Sequence, residues 1–268
     1  MEHTATQSGD VGHHIREWRQ RRRMTQLALA LDADISPRHL SFLETGKAQP
    51  SREMVLHLCE RLAVPLRERN MLLIAAGYAP VFARRTLDDP ALKPAIAAVE
   101  QVLAGHEPYP ALAIDRAWIM VRANRAAASL LSGLPESLLN PPLNVLRLSL
   151  HPDGLAPRIA NLPEWRAHLL DRLRHQIEIT ADPGLETLMR ELRGYPTPTS
   201  RAPAAPDKFG GVVVPLQIIT EAGKLSFLST TTIFGTPLDV TVSELAIESF
   251  FPADDATART LQNIFPRR

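Results

Sequence analysis

The sequence predicts a multidomain fold: an all-α domain of five helices, then an α+β domain with an antiparallel sheet flanked by helices. Three observations support this prediction. Five helix patterns follow one another over residues 11–80, apolar runs mix with helix patterns from residue 92, and 268 residues suffice for two cores. A polar tail over residues 1–10 and a linker over residues 81–91 complete the expected domains, and the second domain spans residues 92–268.

The outer helices of the first domain follow from the spacing of their apolar residues. The first helix is expected over residues 13–23, with Ile15 and Trp18 facing inward and Arg19 facing outward. The fourth and fifth helices are expected over residues 51–63 and 65–76. These helices predict a compact helical core around the two short helices that lie between them.

The segment from Thr25 onward predicts two short helices joined by a tight turn. The hydroxyl of Thr25 can cap the first helix, because the first N–H groups of a helix have no partner within it. Asp34 sits at the turn, where a positive φ is tolerated best by glycine and next best by Asp or Asn. Ser36 caps the second helix and Pro37 takes its first position. The inward face of the first helix is expected to comprise Leu27, Ala28, Ala30 and Leu31.

The second of these helices has an inward and an outward side. Leu40 and Leu43 repeat at i, i+3 and are expected to face the core. The helix start and the outward positions are expected to meet DNA: Ser36, Pro37, Arg38, His39, Ser41 and Phe42. The guanidinium of Arg38 suits two hydrogen bonds to guanine, and Phe42 suits a thymine methyl group. The pattern predicts a helix-turn-helix that enters a DNA major groove, and an ordinary helical hairpin is the alternative.

Three further side chains are candidates for contacts to the DNA backbone. Gln26 begins the first short helix, where a side-chain amide and the helix N-terminus can bond a phosphate. Lys47 and Arg19 are weaker candidates for the same role.

These residues resemble the Cro/repressor-type (xenobiotic-response-element) helix-turn-helix family over about residues 11–75. The matching positions, in order, are Thr25-Gln26, Leu29-Ala30, Ile35-Ser36, Leu40, Leu43, Glu44, Gly46-Lys47 and Pro50-Ser51. The one departure is Asp34, where the family usually has glycine. The resemblance implies binding to a double-stranded DNA operator.

The charge distribution agrees with a DNA partner for the first domain. Residues 1–85 hold 13 Lys and Arg against 9 Asp and Glu, whereas the remainder holds 17 against 20. Basic charge therefore concentrates where phosphate attraction requires it, although the excess is modest. Because one recognition helix reads few base pairs, a homodimer is expected.

The cysteine count and the lengths of the apolar runs indicate in which cellular compartment the protein is expected. The single cysteine, Cys59, excludes an internal disulfide and a cysteine-based zinc site, and its spacing predicts a buried thiol over a redox switch. The first ten residues lack the apolar run of a secretory signal, and no segment has the ~20 apolar residues of a membrane span. A cytoplasmic protein without a membrane partner is expected.

The second domain mixes helix and strand patterns. A tight hairpin is expected from the apolar runs 111–114 and 118–121. Helices are expected over residues 93–104, 124–131, 162–176 and 185–192, and strands over 211–220, 224–235 and 244–251. The proline-rich stretch 195–207 between them is expected to be a loop and a candidate lid.

A second resemblance covers this domain. The stretches YPALAIDRAWIMVRAN and DP-x-L-x-x-L-x-x-EL are similar to the MmyB-type ligand-binding domain, and the join LRERNMLLIAAGYAPVF between the two domains also matches that family. That family has a PAS-like fold and commonly follows this kind of helix-turn-helix. The proline-rich loop departs from the family, which more often has a Trp and a His there. The resemblance implies a small-molecule sensor, and the apolar strands favour an acyl-type or similar apolar ligand.

Candidate ligand-binding residues come from the apolar strands and one helix. Trp118, Val121, Phe227 and Phe234 are candidates for the pocket wall, with plain core as the alternative. The resemblance also suggests Arg174, which follows Leu173 where the family tends to have Leu-Arg, as the polar anchor for a ligand carboxylate, with an ordinary surface arginine as the alternative.

The sequence has no set of residues that predicts catalysis, a metal or a cofactor. It lacks a nucleophile elbow, a phosphate-binding glycine loop and a zinc-binding H-E-x-x-H motif, and His168 and His175 have no ligand pair at i, i+4. We therefore expect a ligand-responsive transcription regulator. The alternatives are an enzyme in the second domain and a second domain that only binds a protein or dimerises.

Overall fold

The computed structural model describes residues 11–196 and 213–266. The chain divides into two compact units. One comprises Met1–Arg85 with Pro237–Ser243, and the other comprises Thr86–Thr236 with Glu244–Arg268. Separate clusters of buried apolar side chains support the two units, as the length of the chain predicts.

The first unit begins with five helices, which confirms the predicted all-α domain. They are α1 (Val11–Arg21), α2 (Gln26–Asp32), α3 (Pro37–Glu44), α4 (Arg52–Arg61) and α5 (Leu66–Ala75). The hydroxyls of Thr25, Ser36 and Ser51 each accept an N–H group from the first turn that follows, as helix caps do. Asp34 adopts the predicted positive φ, 51°. Helices α2 and α3 therefore form the helix-turn-helix.

The expected inward face of α2 is wrong in part. Of the four expected residues only Ala30 is buried, and it is joined by Leu29; Ala28 is exposed, and Leu27 and Leu31 are 57% and 71% exposed. The helix has only seven residues, so its contact with the core is a short stripe and not a wide face. Apolar character alone therefore did not identify which side of this helix faces the core.

The prediction that Arg19 faces outward is also wrong. Its side chain is buried, and its Nε and Nη2 groups donate to the two carboxylate oxygens of Glu44 at 2.6 and 2.9 Å. A third bond runs from Nη1 to the carbonyl of Met24 at 2.8 Å. The hydrogen bonds to Glu44 raise the pKa of Arg19. Three of its five N–H donors are thus bonded inside the helical unit, so Arg19 is not the outward-facing side chain on which the expected phosphate contact was based.

Cys59 lies on α4 with no exposed surface, and burial raises the pKa of its thiol to about 12. Thiolate is the reactive form, so we expect the native protein to resist iodoacetamide at pH 8. The same protein in denaturant should be alkylated readily, and mass spectrometry measures both. Alkylation of the native protein at the rate of the denatured protein would contradict this assignment.

The second unit is built on one five-stranded antiparallel sheet, which confirms the predicted α+β fold. The strands are β1 (Ala111–Ile114), β2 (Met120–Ala123), β3 (Leu216–Thr220), β4 (Gly223–Ile233) and β5 (Ala246–Pro252). Their order is β2-β1-β5-β4-β3. The first and last strands in sequence thus meet in the middle of the sheet, where β5 pairs with both β1 and β4.

Helices flank this sheet. They are α6 (Lys93–Gly105), α7 (Arg125–Leu130), α8 (Glu136–Leu139), α9 (Val145–Leu150), α10 (Leu162–Thr180), α11 (Pro183–Gly194) and α13 (Asp255–Ile264). Helices α8, α9 and α13 were not predicted from the sequence. The long helix α10 places Trp165, Leu169 and Leu173 in the main apolar core.

A short segment between β4 and β5 belongs to the first unit. Residues Pro237–Ser243 include α12 (Val240–Ser243) and lie outside the second unit, although the predicted domain ran through them. The backbone N–H of Val240 donates to the carbonyl of Ala83 at 2.8 Å. Arg85 donates to the carboxylate of Asp239 at 2.7 Å. The segment is thus fixed to the end of the helical unit by hydrogen bonds and an ion pair.

Candidate nucleic-acid interface and ligand cavity

Helix α3 presents a cationic and aromatic group to solvent. The guanidinium of Arg38 lies 5.3 Å from the ring centre of Phe42, and the ammonium of Lys47 lies 5.9 Å from the same ring. Both cations are exposed, and Phe42 is half-buried between them. Cation–π contacts of this kind limit where a flexible side chain can point. Arg38 is thus held at the start of a helix with its hydrogen-bond donors in solvent.

The remaining predicted residues of α3 lie around this group. Leu40 and Leu43 are fully buried, as predicted, so the opposite side faces outward. Ser36 and Pro37 are exposed at the helix start, and the other two positions, His39 and Ser41, are half-buried. The hydroxyl of Ser36 already accepts the N–H of His39 at 3.1 Å, so its outward role is limited to its free lone pair and its proton.

Gln26 is positioned by the buried ion pair. Its side-chain N–H donates to Oε2 of Glu44 at 2.7 Å, the carboxylate that also holds Arg19. An amide group has two N–H donors and one acceptor oxygen, so part of Gln26 remains available beyond this bond. Glu44, at the end of α3, therefore ties α1 and the start of α2 to the recognition helix.

Replacing Lys47 by Ala should weaken DNA binding without changing sequence preference. If Lys47 contacts a phosphate, the slope of log affinity against log salt should fall by about one unit. Titrations at several salt concentrations measure this slope. The matched control is Lys224→Ala, an exposed lysine at the start of β4, which should leave the slope unchanged. An unchanged slope for Lys47→Ala would remove this residue from the interface.

The second unit contains an apolar cavity of about 100 Å³. It lies between the sheet and helices α7, α9 and α10. Its apolar lining includes Leu112, Met120, Leu130, Val145, Leu169 and Phe250. Trp118 also lines the cavity and has a φ of 63°, a left-handed conformation that bulky residues rarely adopt. Its indole N–H donates to Gln176 of α10 at 2.6 Å, which holds this strained residue in place.

An ion pair forms the main polar part of the cavity wall. Arg172 of α10 and Glu248 of β5 both line the cavity, and the Glu248 side chain is only 5% exposed. Both terminal nitrogens of Arg172 donate to Glu248, one of them at 3.1 Å. The hydroxyl of Thr231 donates to Glu248 at 2.8 Å and accepts from Arg172 at 3.1 Å. The guanidinium also lies 5.0 Å from the ring centre of Trp118.

Comparison with known proteins assigns a protein family to each unit. The model of the MmyB-like transcription regulator ligand binding domain matches residues 95–264, which is more than half of the chain, and a helix-turn-helix model matches residues 15–69. The chain belongs to the MmyB-like transcription regulators. It is a DNA-binding regulator with a ligand-binding domain, and this family assignment confirms the prediction that it is not an enzyme.

Other comparisons add little to the assignment of this MmyB-like regulator. Among solved structures, one match is described as "Structure of an RNA-binding Light-Oxygen-Voltage Receptor", with 13% identity and a TM-score of 0.24. The match covers 93% of this chain but only 62% of that one, and it carries no further argument. No curated protein matches the chain. None of the described helices has the length and apolar character that a bilayer crossing needs.

Of the five ligand-binding residues expected for this MmyB-like regulator, only Trp118 lines the cavity. Phe227 is fully buried in the main core, and Val121 and Phe234 pack against a separate cluster that includes residues of α6. Arg174 is exposed and pairs with Asp171, away from the cavity lining. The expected lid, residues 195–207, lies outside the described residues from position 197 onward.

The two charged residues of the cavity wall, Arg172 and Glu248, were not predicted from the sequence. Glu248 carried a usable signal, because an acidic residue inside the apolar run ELAIESFF must be paired if the strand is buried. Arg172 carried none, since it is one of several arginines on a long helix. His168 lies one turn before Arg172 on α10 and is half-buried. Its pKa is lowered mainly by burial and further by the positive charge of Arg172. The described residues contain no cluster that could hold a metal ion.

Proposed function

We propose that this regulator reads an operator as a homodimer through α3, and that a small acyl-type apolar ligand in the cavity modulates this binding. The proposal for DNA rests on two exposed cations, Arg38 at the start of the recognition helix and Lys47 in the turn after it, which both lie against the ring of Phe42. Gln26 and the exposed start of α3 are proposed to contact the DNA backbone. We infer a cytoplasmic location, because such a protein acts where DNA is.

The homodimer follows from the size of the reading surface. A single helix contacts only a few base pairs, whereas two copies one helical turn apart along the DNA read a palindrome. The first unit has a modest positive charge, so nonspecific phosphate attraction alone gives weak binding. Pairing two recognition helices supplies the missing affinity and specificity.

The ligand part of the proposal rests on the composition of the cavity wall. An apolar lining with a few polar groups at one place is typical of small-molecule sites. The volume of about 100 Å³ lies below the ~300 Å³ at which such sites usually begin. The described cavity therefore accepts a small apolar group, and it must widen to hold a longer acyl chain.

A route from the cavity to the DNA-binding unit is present in the chain itself. Thr231 of β4 and Glu248 of β5 bond to Arg172, and the segment Pro237–Ser243 joins these two strands. That segment is part of the first unit, where Asp239 pairs with Arg85. We infer that a ligand which moves β4 or β5 alters the DNA-binding unit through this segment.

Methyl octanoate, as an acyl probe, is expected to raise the melting temperature of the full chain. A molecule that binds only the native state stabilises it, by about 2.7 kcal/mol at 100 times its Kd. Differential scanning fluorimetry across esters of increasing chain length measures the effect. Leu169→Trp places a larger side chain on the cavity wall and should abolish the response. If no chain length shifts the wild-type protein, the second domain is better explained as a dimerisation or protein-binding module.

A further inference from the structure

The ion pair of Arg172 and Glu248 in the cavity wall restricts which polar group a ligand can place beside it. A lone arginine in an apolar cavity would favour a carboxylate, because each desolvated charge needs a partner. Here Glu248 already supplies that partner, and both terminal nitrogens of Arg172 are bonded to it. The wall of the cavity is therefore polar but carries no net charge at this point.

The hydrogen-bond capacity of Arg172 is only partly used. A guanidinium has five N–H donors, and Glu248 and Thr231 together accept three of them. The Nε–H group and one Nη1–H group remain for another acceptor. Arg172 lines the cavity, and its side chain is 27% exposed, so it is not fully sealed from solvent.

A ligand carboxylate at these donors would meet an unfavourable neighbour. It would lie close to the Glu248 carboxylate, which is almost fully buried and held in place by the Thr231 hydroxyl and by Arg172. Two carboxylates that share one site repel each other strongly. A carbonyl or hydroxyl oxygen accepts the same N–H groups without adding a charge.

We propose that the cavity selects an uncharged acyl compound, such as an ester, thioester or amide, over a free fatty acid. This inference rests on the proposed acyl-binding function and specifies its polar end. Glu248 is the residue that determines the selectivity, because its charge cancels that of Arg172 and rejects a second carboxylate. The apolar part of the ligand contacts Leu169 and Phe250, and its carbonyl oxygen accepts from Arg172 beside the ring of Trp118.

The test compares methyl octanoate with octanoate at pH 7, using calorimetry and the melting temperature of the full chain. The two probes share an apolar chain and differ in charge at one end. For the wild-type protein we expect the ester to bind at least ~10-fold more tightly, a difference of about 1.4 kcal/mol. In Glu248→Gln, which keeps the shape of the side chain and leaves Arg172 with its charge uncompensated, we expect the preference to reverse. Glu164→Gln, an exposed change on α10, is the matched control and should keep the wild-type order.

The outcomes separate this inference from the function on which it rests. Equal or tighter binding of octanoate by the wild-type protein would overturn the inference, while the proposed acyl-binding function would stand. Failure of both probes to bind would refute the acyl class and the inference with it. If Glu248→Gln does not fold, the order of the two probes in the wild-type protein still tests the inference, because equal or tighter binding of octanoate would overturn it.

Discussion

Replacing Glu44 by Ala is expected to lower the free energy of unfolding of the helical unit by about 3–5 kcal/mol. Glu44 accepts two hydrogen bonds from the buried Arg19 and one from Gln26. Its loss leaves a guanidinium buried without a counter-charge, which is among the largest effects a single substitution produces. A small domain is stable by only ~5–15 kcal/mol, so much of that stability would be lost.

Hydrogen exchange of the amides in α1 and α3 of the full chain measures this effect. Amides of the sheet in the second unit serve as an internal standard. Glu60→Ala, an exposed change on α4, should stay within about 0.5 kcal/mol of wild type. The double change Arg19→Met with Glu44→Leu should recover most of the loss, because it removes both charges together. A loss below about 1 kcal/mol in Glu44→Ala would show that the pair does not hold the helices together.

Replacing Arg38 by Ala should weaken binding to the preferred operator by about 1–3 kcal/mol, or roughly 5- to 150-fold. The guanidinium is exposed at the start of α3 and lies against the ring of Phe42. This contact orients its N–H donors already in the protein without DNA. If it reads a guanine, discrimination at one base position should fall with the affinity. Operators selected from random DNA by the wild-type protein provide the ligand for this measurement.

Two further variants separate base reading from charge. Arg38→Lys keeps the charge but loses the two-pronged donor geometry, so it should lose specificity almost as fully as Arg38→Ala. Arg61→Ala removes one positive charge from an exposed position on α4 and should leave base preference intact. Equal weakening of all DNA sequences by Arg38→Ala would mean that this residue contacts only phosphate.

The DNA-binding half was predictable because its signals are local. Caps such as Ser36, the positive φ of Asp34 and the i, i+3 leucines are each decided by a few neighbouring residues. The predicted outward orientation of Arg19 was wrong for the opposite reason, because its partner Glu44 is 25 positions away. The position of Arg19 on its helix does not reveal that a buried carboxylate from α3 pairs with its side chain.

The cavity was less predictable, because it depends on contacts that are distant in sequence. Arg172 and Glu248 are 76 positions apart, and Trp118 approaches Arg172 from a hairpin more than 50 residues earlier. Arg174 was selected by family resemblance, yet on α10 two residues turn a side chain by about 200°, away from the cavity. Strand patterns identified Phe227 as buried without revealing whether it faced core or cavity.

The most direct test of the account measures operator affinity of the full chain with and without saturating methyl octanoate. A regulator that senses a ligand in this cavity must bind DNA with a different affinity in the two conditions. The reason is that ligand binding and DNA binding shift the same conformational equilibrium of the protein. Typical couplings of 1–3 kcal/mol predict a change in Kd of about 5- to 150-fold, in either direction. An unchanged Kd, with the ester shown by calorimetry to occupy the protein, would contradict ligand control of DNA binding.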